Sequence, residues 1–299
     1  MTRWSAAAVP DLSGRVAVVT GANRGLGRAI TGALAGRGAR VIMACRDEAA
    51  GAATAADLRR TGAVGPLEVR RLDLASLASV GDFAASLAGE PRLDILANNA
   101  GLMAVDRGLT EDGFETHIGV NHLGPFALTL RLLPRLNATP GARVVSMSSM
   151  GARLGHADLG DLGWERRPYD RWQAYFQSKL ANLLFTFELD RRLRAAGATT
   201  AALAAHPGGA RTSLGRNGRS LANKVVVPLY QPFLQSAAAG ARGFVRAATD
   251  PAARSGEYYG PALQAWGPPV RERPGRPARD PQLAAGLWAE SERLTGVAL

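Results

Sequence analysis

A β-branched run that breaks onto three glycines constrains this chain more than any other feature. "RVAVVT" (residues 15–20) reads as a strand buried on both faces, and "TGANRGLG" (20–27) continues from it with glycines at 21, 25 and 27. Glycine tolerates left-handed torsions and lets a ligand approach backbone that a Cβ would shield. The next stretch, "RAITGALAGRG", carries apolar residues at helical spacing and stops at Gly38. A helix starting directly after such a turn aims free N–H groups and the positive end of its dipole at an anion, typically a pyrophosphate. The spacing is G-x-x-x-G-x-G, not the G-x-G-x-x-G of many dinucleotide folds. A tight βα connection with no ligand is the plain alternative.

The same rhythm repeats downstream. "RVIMAC" (40–45), "LEVRRLDL" (67–74), "LDILANNAG" (93–101) and "RVVSMSS" (143–149) read as strands. Helical stretches separate them: 47–61, a segment capped by Ser76, and a long helix over about 110–137. This βα alternation predicts a single-domain Rossmann-type doubly wound parallel sheet with helices on both faces. No repeat or linker divides residues 1–299; the expected core is about 12–262, followed by a C-terminal extension over about 263–299. Within the extension "GPPVRERPGRPARDP" (267–281) reads as loop before a short helix.

The net charge of +11 invites a nucleic-acid reading, but the arginines are scattered and no aromatic-interleaved basic stretch occurs, so a solvated basic surface is expected. A single cysteine, Cys45, excludes an internal disulfide and a zinc cluster. His117, His122, His156 and His206 lack compact ligand spacing, so no metal is expected. There is no 18-residue apolar run to span a membrane, and "MTRWSAAAVP" is short and weakly apolar for a signal peptide. A cytoplasmic enzyme is the expectation.

"AYFQSKLANLLF" (174–185) reads as a helix with Leu180, Leu183, Leu184 and Phe185 on its apolar side, yet Tyr175 and Lys179 open it. Positions i and i+4 share a helix face. The chain holds only two lysines, Lys179 and Lys224, against 34 arginines. A phenol ionises near pH 10, and a neighbouring ammonium lowers that value. Reaching neutrality needs a shift of roughly 3 units, or about 4 kcal/mol. Lysine suits this task as a compact charge, where guanidinium is a wide planar fork. The alternative is a surface lysine beside a packed tyrosine. Tyr169 has no such partner, because residue 173 is glutamine.

These stretches occur in order with "NNAG" (98–101), Asn121 in "VNHLGPF", Ser149 at a strand end and "HPGGART" (206–212). The set resembles the short-chain dehydrogenase/reductase family over about residues 12–262, and in detail its retinol-dehydrogenase-like branch. That resemblance implies Tyr175 as acid–base group, Ser149 holding the substrate oxygen, Lys179 on the nicotinamide ribose and Asn121 holding a relay water. Ser149 is preferred to Ser148 because the second serine is the family's position and neighbours on a strand point apart. For Asn121 the alternative is a helix-kink residue bonding backbone near Pro125.

The cofactor groove implied by the resemblance takes Gly21, Asn23, Arg24, Gly25, Leu26 and Gly27 from the turn. Asp73 and Leu74 border the adenine. Asn98, Ala100, Gly101, Pro207 and Gly208 line the groove, Thr212 contacts the carboxamide, and Tyr175 and Lys179 close it. NAD binding commonly uses an acidic residue at the end of the second strand. Here Arg46 stands beside that position and Arg24 lies in the turn, so NADP(H) is favoured over NAD(H), with Asp47 left to cap a helix.

The separation of Ser149 from Tyr175 is about twice that of many family members, and the extra segment (155–172) either borders the substrate entrance or is a plain surface loop. The substrate loop is expected over about 213–235, where "KVVVPLYQPFL" suits a lipophilic alcohol, aldehyde or ketone or else packs on the core or a partner subunit. The expected function is NADP(H)-dependent interconversion of carbonyl and alcohol. A silent NADP-binding sensor or scaffold and a non-redox epimerase or dehydratase are the alternatives. The expected partner is a small-molecule substrate, with no nucleic acid and a homodimer left open.

Overall fold

Each β-branched run becomes a strand of one sheet. In the computed structural model, which describes residues 4–209 and 235–299, the strands are β1 (Val16–Thr20), β2 (Arg40–Cys45), β3 (Leu67–Arg71), β4 (Ile95–Asn98), β5 (Arg143–Met147), β6 (Ala201–Ala205), β7 (Tyr258–Pro261) and β8 (Pro269–Glu272). Their order is β3-β2-β1-β4-β5-β6-β7-β8. The chain reverses direction of growth between β3 and β4, so the sheet has a switch point beside β1, where ligands bind in open α/β sheets. Pairing is parallel from β3 through β7, with Ala17 opposite Ile95 and Val41. β8 joins β7 antiparallel. It falls inside the Pro/Arg-rich stretch expected to be loop.

The helices are α1 (Gly25–Ala35), α2 (Glu48–Arg60), α3 (Leu77–Ser86), the one-turn α4 (Thr116–Ile118), α5 (Gly124–Asn137), α6 (Arg171–Ala195), α7 (Ala237–Thr249) and α8 (Pro281–Thr295). They cover both faces. Alternate β1 residues serve opposite cores: Ala17 and Val19 pack with Ile30 and Leu34 of α1 and Phe244 of α7, while Val16 and Val18 pack with Phe83 of α3 and Phe126 of α5. This is the period-two burial of a strand covered on both sides. α8 docks Trp288 against Phe126 and Phe185, with ring centroids 5.1 and 5.8 Å apart.

The helix expected over 110–137 starts later and is interrupted. Leu109 and Glu115 form a β-bridge, and Gly113 has φ +82°, so residues 110–113 turn. The Glu115 carboxylate then caps the chain by accepting the His117 and Ile118 N–H groups. Between α4 and α5, Gly119–Leu123 forms a π-helical turn, the kind of bulge found at functional sites. A Cβ on Gly124 would lie 2.5 Å from the Leu74 carbonyl oxygen, so this bulge presses against the chain leaving β3. Among the described residues no helix is long and apolar enough to cross a membrane.

Candidate active site

A cleft of about 710 Å³ opens at the C-terminal ends of the strands, floored by Thr20, Ala44, Leu72 and Met147. The glycine turn forms one wall. Gly21 and Gly25 take φ of +64° and +53°, left-handed values that suit glycine. Gly27 is needed for contact: its Cβ would sit 2.1 Å from the Gly21 carbonyl oxygen. α1 then begins with no side chain capping it and no acidic residue in its first turn. Its orphan N–H groups therefore remain available to an anion. Gly27→Ala is expected to cost about 2–3 kcal/mol by overpacking, seen as a lower urea midpoint at unchanged slope.

The other wall comes from β5 and α6. Asp170 caps α6 by accepting the Trp172 and Gln173 N–H groups. One turn further in, Tyr175 and Lys179 both line the cleft. The two serines after β5 diverge. Both touch the cleft, but Ser148 is buried and donates to the Lys179 carbonyl at 2.8 Å, whereas the Ser149 hydroxyl accepts the Gly151 N–H at 3.1 Å and favours the Tyr175 phenolate. Lys179 is 3% exposed and its Nζ donates to the Met147 carbonyl at 3.3 Å. Burial pulls its ammonium down from 10.5 to about 8. Gly101 approaches so closely that a Cβ there would lie 2.9 Å from Asn121 Oδ1 and 3.1 Å from Lys179 Nζ.

A parallel sheet, a glycine turn at its switch point and a tyrosine–lysine pair facing it make a recognisable set. Residues 15–221 match the family model for short chain dehydrogenase. The chain belongs to the short-chain dehydrogenase family. It is 42% identical to human Retinol dehydrogenase 13 over 293 residues, covering 96% of this chain and 86% of that protein. It is 46% identical to an uncharacterized protein from Mycobacterium paratuberculosis of known crystal structure, with a TM-score of 0.84 over 100% of both chains. A structure described as an NAD(P) dependent gluconate 5-dehydrogenase from Beutenbergia cavernae, with bound NADP, is 26% identical at a TM-score of 0.65, covering 84% of this chain and 96% of that one.

In this short-chain dehydrogenase most of the expected groove residues line the cleft: Gly21, Asn23, Arg24, Gly25, Leu26, Gly27, Arg46, Asp73, Leu74, Ala100, Gly101, Pro207 and Gly208. Asn98 is not among them. It closes β4 with its side chain turned into the core, where Nδ2 donates to Thr129 Oγ1 at 2.8 Å. Asn99 reaches the cleft instead and donates to the Thr20 carbonyl at 2.9 Å. Asn121 sits on the π turn, fully buried behind the cleft lining. Its Oδ1 accepts the Leu102 N–H at 2.7 Å, and its Nδ2 donates to the Leu102 carbonyl and Ser178 Oγ at 3.0 and 2.8 Å. Those bonds join α6 to the loop after β4 and differ from a kink bond near Pro125. Thr212 and all but residue 235 of the substrate loop expected over about 213–235 lie outside the described residues.

Two further differences have physical causes. The Tyr175 phenol is pushed up by burial, opposed by the Ser149 hydroxyl and not by Lys179, so the depression expected from the lysine is not what sets its direction. The cleft also holds apolar residues not singled out from the sequence, Met103, Met150, Leu154 and Phe176, together with Trp172, the last residue of the inserted segment 155–172 read as a candidate border of the entrance. For Trp172 a signal existed in its i−3 spacing from Tyr175, which puts both on one helix face. Their rings meet at 6.4 Å between centroids.

Proposed function

We propose that this oxidoreductase is an NADP(H)-dependent carbonyl reductase acting on lipophilic aldehydes or ketones. The observation that carries the reading is that Ser149, Tyr175 and Lys179 line one cleft with the glycine turn, Lys179 standing one helical turn from Tyr175 on α6. The glycine cradle and the uncapped start of α1 fit a dinucleotide pyrophosphate, and Arg24 and Arg46 fit a 2′-phosphate. When bound, the nicotinamide supplies or accepts the hydride. Ser149 holds the carbonyl oxygen, and Tyr175 donates the proton to that oxygen. Lys179, brought to about 8 by burial, exchanges a proton near neutral pH and stabilises the phenolate left behind. Asn121 ties Leu102 and α6 together behind the cleft, which holds the backbone around that lysine where a relay water is expected.

The cleft lining supports the substrate class. Leu154 is 66% exposed and Trp172 is 40% exposed, large apolar side chains of a cleft whose two arginines, Arg24 and Arg46, come from the glycine turn and the chain just past β2. In a cytoplasmic pool held toward NADPH the reaction runs as carbonyl reduction. The test is a substrate panel with NADPH deuterated at nicotinamide C4. Uncharged lipophilic carbonyls should turn over, with deuterium on the former carbonyl carbon. Preference for charged sugar nucleotides, or turnover without deuterium transfer, rejects carbonyl reduction in favour of an epimerase or dehydratase.

A further inference from the structure

The Tyr175 ring meets His117 edge-on, with centroids 6.3 Å apart, and His117 belongs to a buried polar cluster that the reaction above does not use. Glu115 Oε1 accepts the His117 backbone N–H at 2.9 Å and lies 2.9 Å from His117 Nδ1. The Tyr169 hydroxyl donates to the same oxygen at 3.0 Å and lies 3.0 Å from Nδ1. On the far side of the ring, His117 Nε2 accepts the Val105 N–H at 3.2 Å. That bond puts the ring proton on Nδ1, facing Glu115 and Tyr169. Both ring nitrogens are thereby committed, and the imidazole has one orientation.

Burying a carboxylate and an imidazole costs desolvation that aliphatic side chains would avoid. Glu115 and His117 are nonetheless almost wholly buried. A satisfied polar network returns a unique geometry, which an apolar filling does not. The ring whose position depends on that geometry is Tyr175. Tyr169 comes from the segment inserted between Ser149 and Tyr175, and its ring packs on Trp164 of the same segment at 5.8 Å. None of Glu115, His117 and Tyr169 lines the cleft.

We propose that His117 is a positioning residue for Tyr175, and that the insertion serves the site by supplying Tyr169, which with Glu115 locks the imidazole against the Tyr175 ring. This rests on Tyr175 being the acid–base group. Loosening the lock lets the phenol wander from the substrate oxygen while substrate and cofactor contacts stay whole. The effect therefore falls on kcat, not on KM or cofactor affinity.

The experiment compares Tyr169→Phe, His117→Ala and the double variant by steady-state kinetics, NADPH titration and thermal melting. Tyr169→Phe keeps the ring contacts and folds; it should lower kcat about fivefold to tenfold, the scale of one aromatic or hydrogen-bond contact. The carbonyl KM and NADPH Kd should stay within about twofold. The double variant should lose no more kcat than His117→Ala alone, because both changes act through one ring. Unchanged kcat in Tyr169→Phe, or losses that multiply in the double variant, overturns the proposal. A parallel Tyr175→Phe control separates the two failures: if it is inactive while the others are fully active, only the positioning role fails, and if it is active, the acid–base reading itself fails.

Discussion

Replacing Tyr175 with phenylalanine is expected to remove nearly all turnover and leave the fold intact. The ring of Tyr175 is buried against His117, Trp172 and Phe176, and phenylalanine keeps every one of those contacts. What disappears is the hydroxyl beside Ser149 in the cleft. General acid–base catalysis by a positioned side chain contributes about 10²–10⁴-fold, so kcat should fall by that factor. Removing a buried hydroxyl also relieves desolvation, so the melting temperature should hold or rise. Burial keeps the phenol protonated well into the alkaline range, the form that donates to a developing alkoxide. Single-turnover rates with NADPH beside a thermal melt decide the matter. A folded variant with full kcat would falsify the assignment.

Neutralising Arg24 and Arg46 together, as Arg24→Gln and Arg46→Gln, is expected to weaken NADPH far more than NADH. Both guanidiniums are exposed at the cleft, one in the glycine turn and one just past β2. Other arginines of this half of the sheet are paired: Arg28 with Asp57, and Arg40 and Arg70 with Glu68 and Glu90. Among the described residues no ion pair engages Arg24 or Arg46. Asp47, the acidic residue nearest the ribose position, spends its carboxylate on the α2 cap, accepting the Ala50 N–H at 2.9 Å. A charge-assisted hydrogen bond is worth about 1.5–3 kcal/mol, or about one to two decades in affinity. Calorimetric titration of both cofactors measures the ratio. An unchanged NADPH/NADH preference would remove the arginines from cofactor selection.

Local chemistry made much of this protein legible before any coordinates. β-branched runs and helical periodicity determined the alternation of strand and helix, because each pattern has one period that buries its apolar side. Glycine at 21, 25 and 27 determined a close-packed turn, because a Cβ at Gly27 has no room. Four-residue spacing put Tyr175 and Lys179 on one face of α6 for the same geometric reason.

Contacts between distant segments decided the rest. Asn98 and Asn99 are equivalent as letters, and only strand pleating against α5 turned one to Thr129 and the other to the cleft. The antiparallel β8 hides in a proline-rich stretch because edge strands tolerate proline, and its partner β7 is what defines it. The π turn under Asn121 runs straight into Gly124, which packs against the Leu74 carbonyl, a contact across 50 residues of sequence. Helical spacing placed an ammonium near a phenol, but the direction of each proton affinity depended on how much water the fold removed from both. Desolvation sums over every neighbouring segment, so only the assembled tertiary structure sets it.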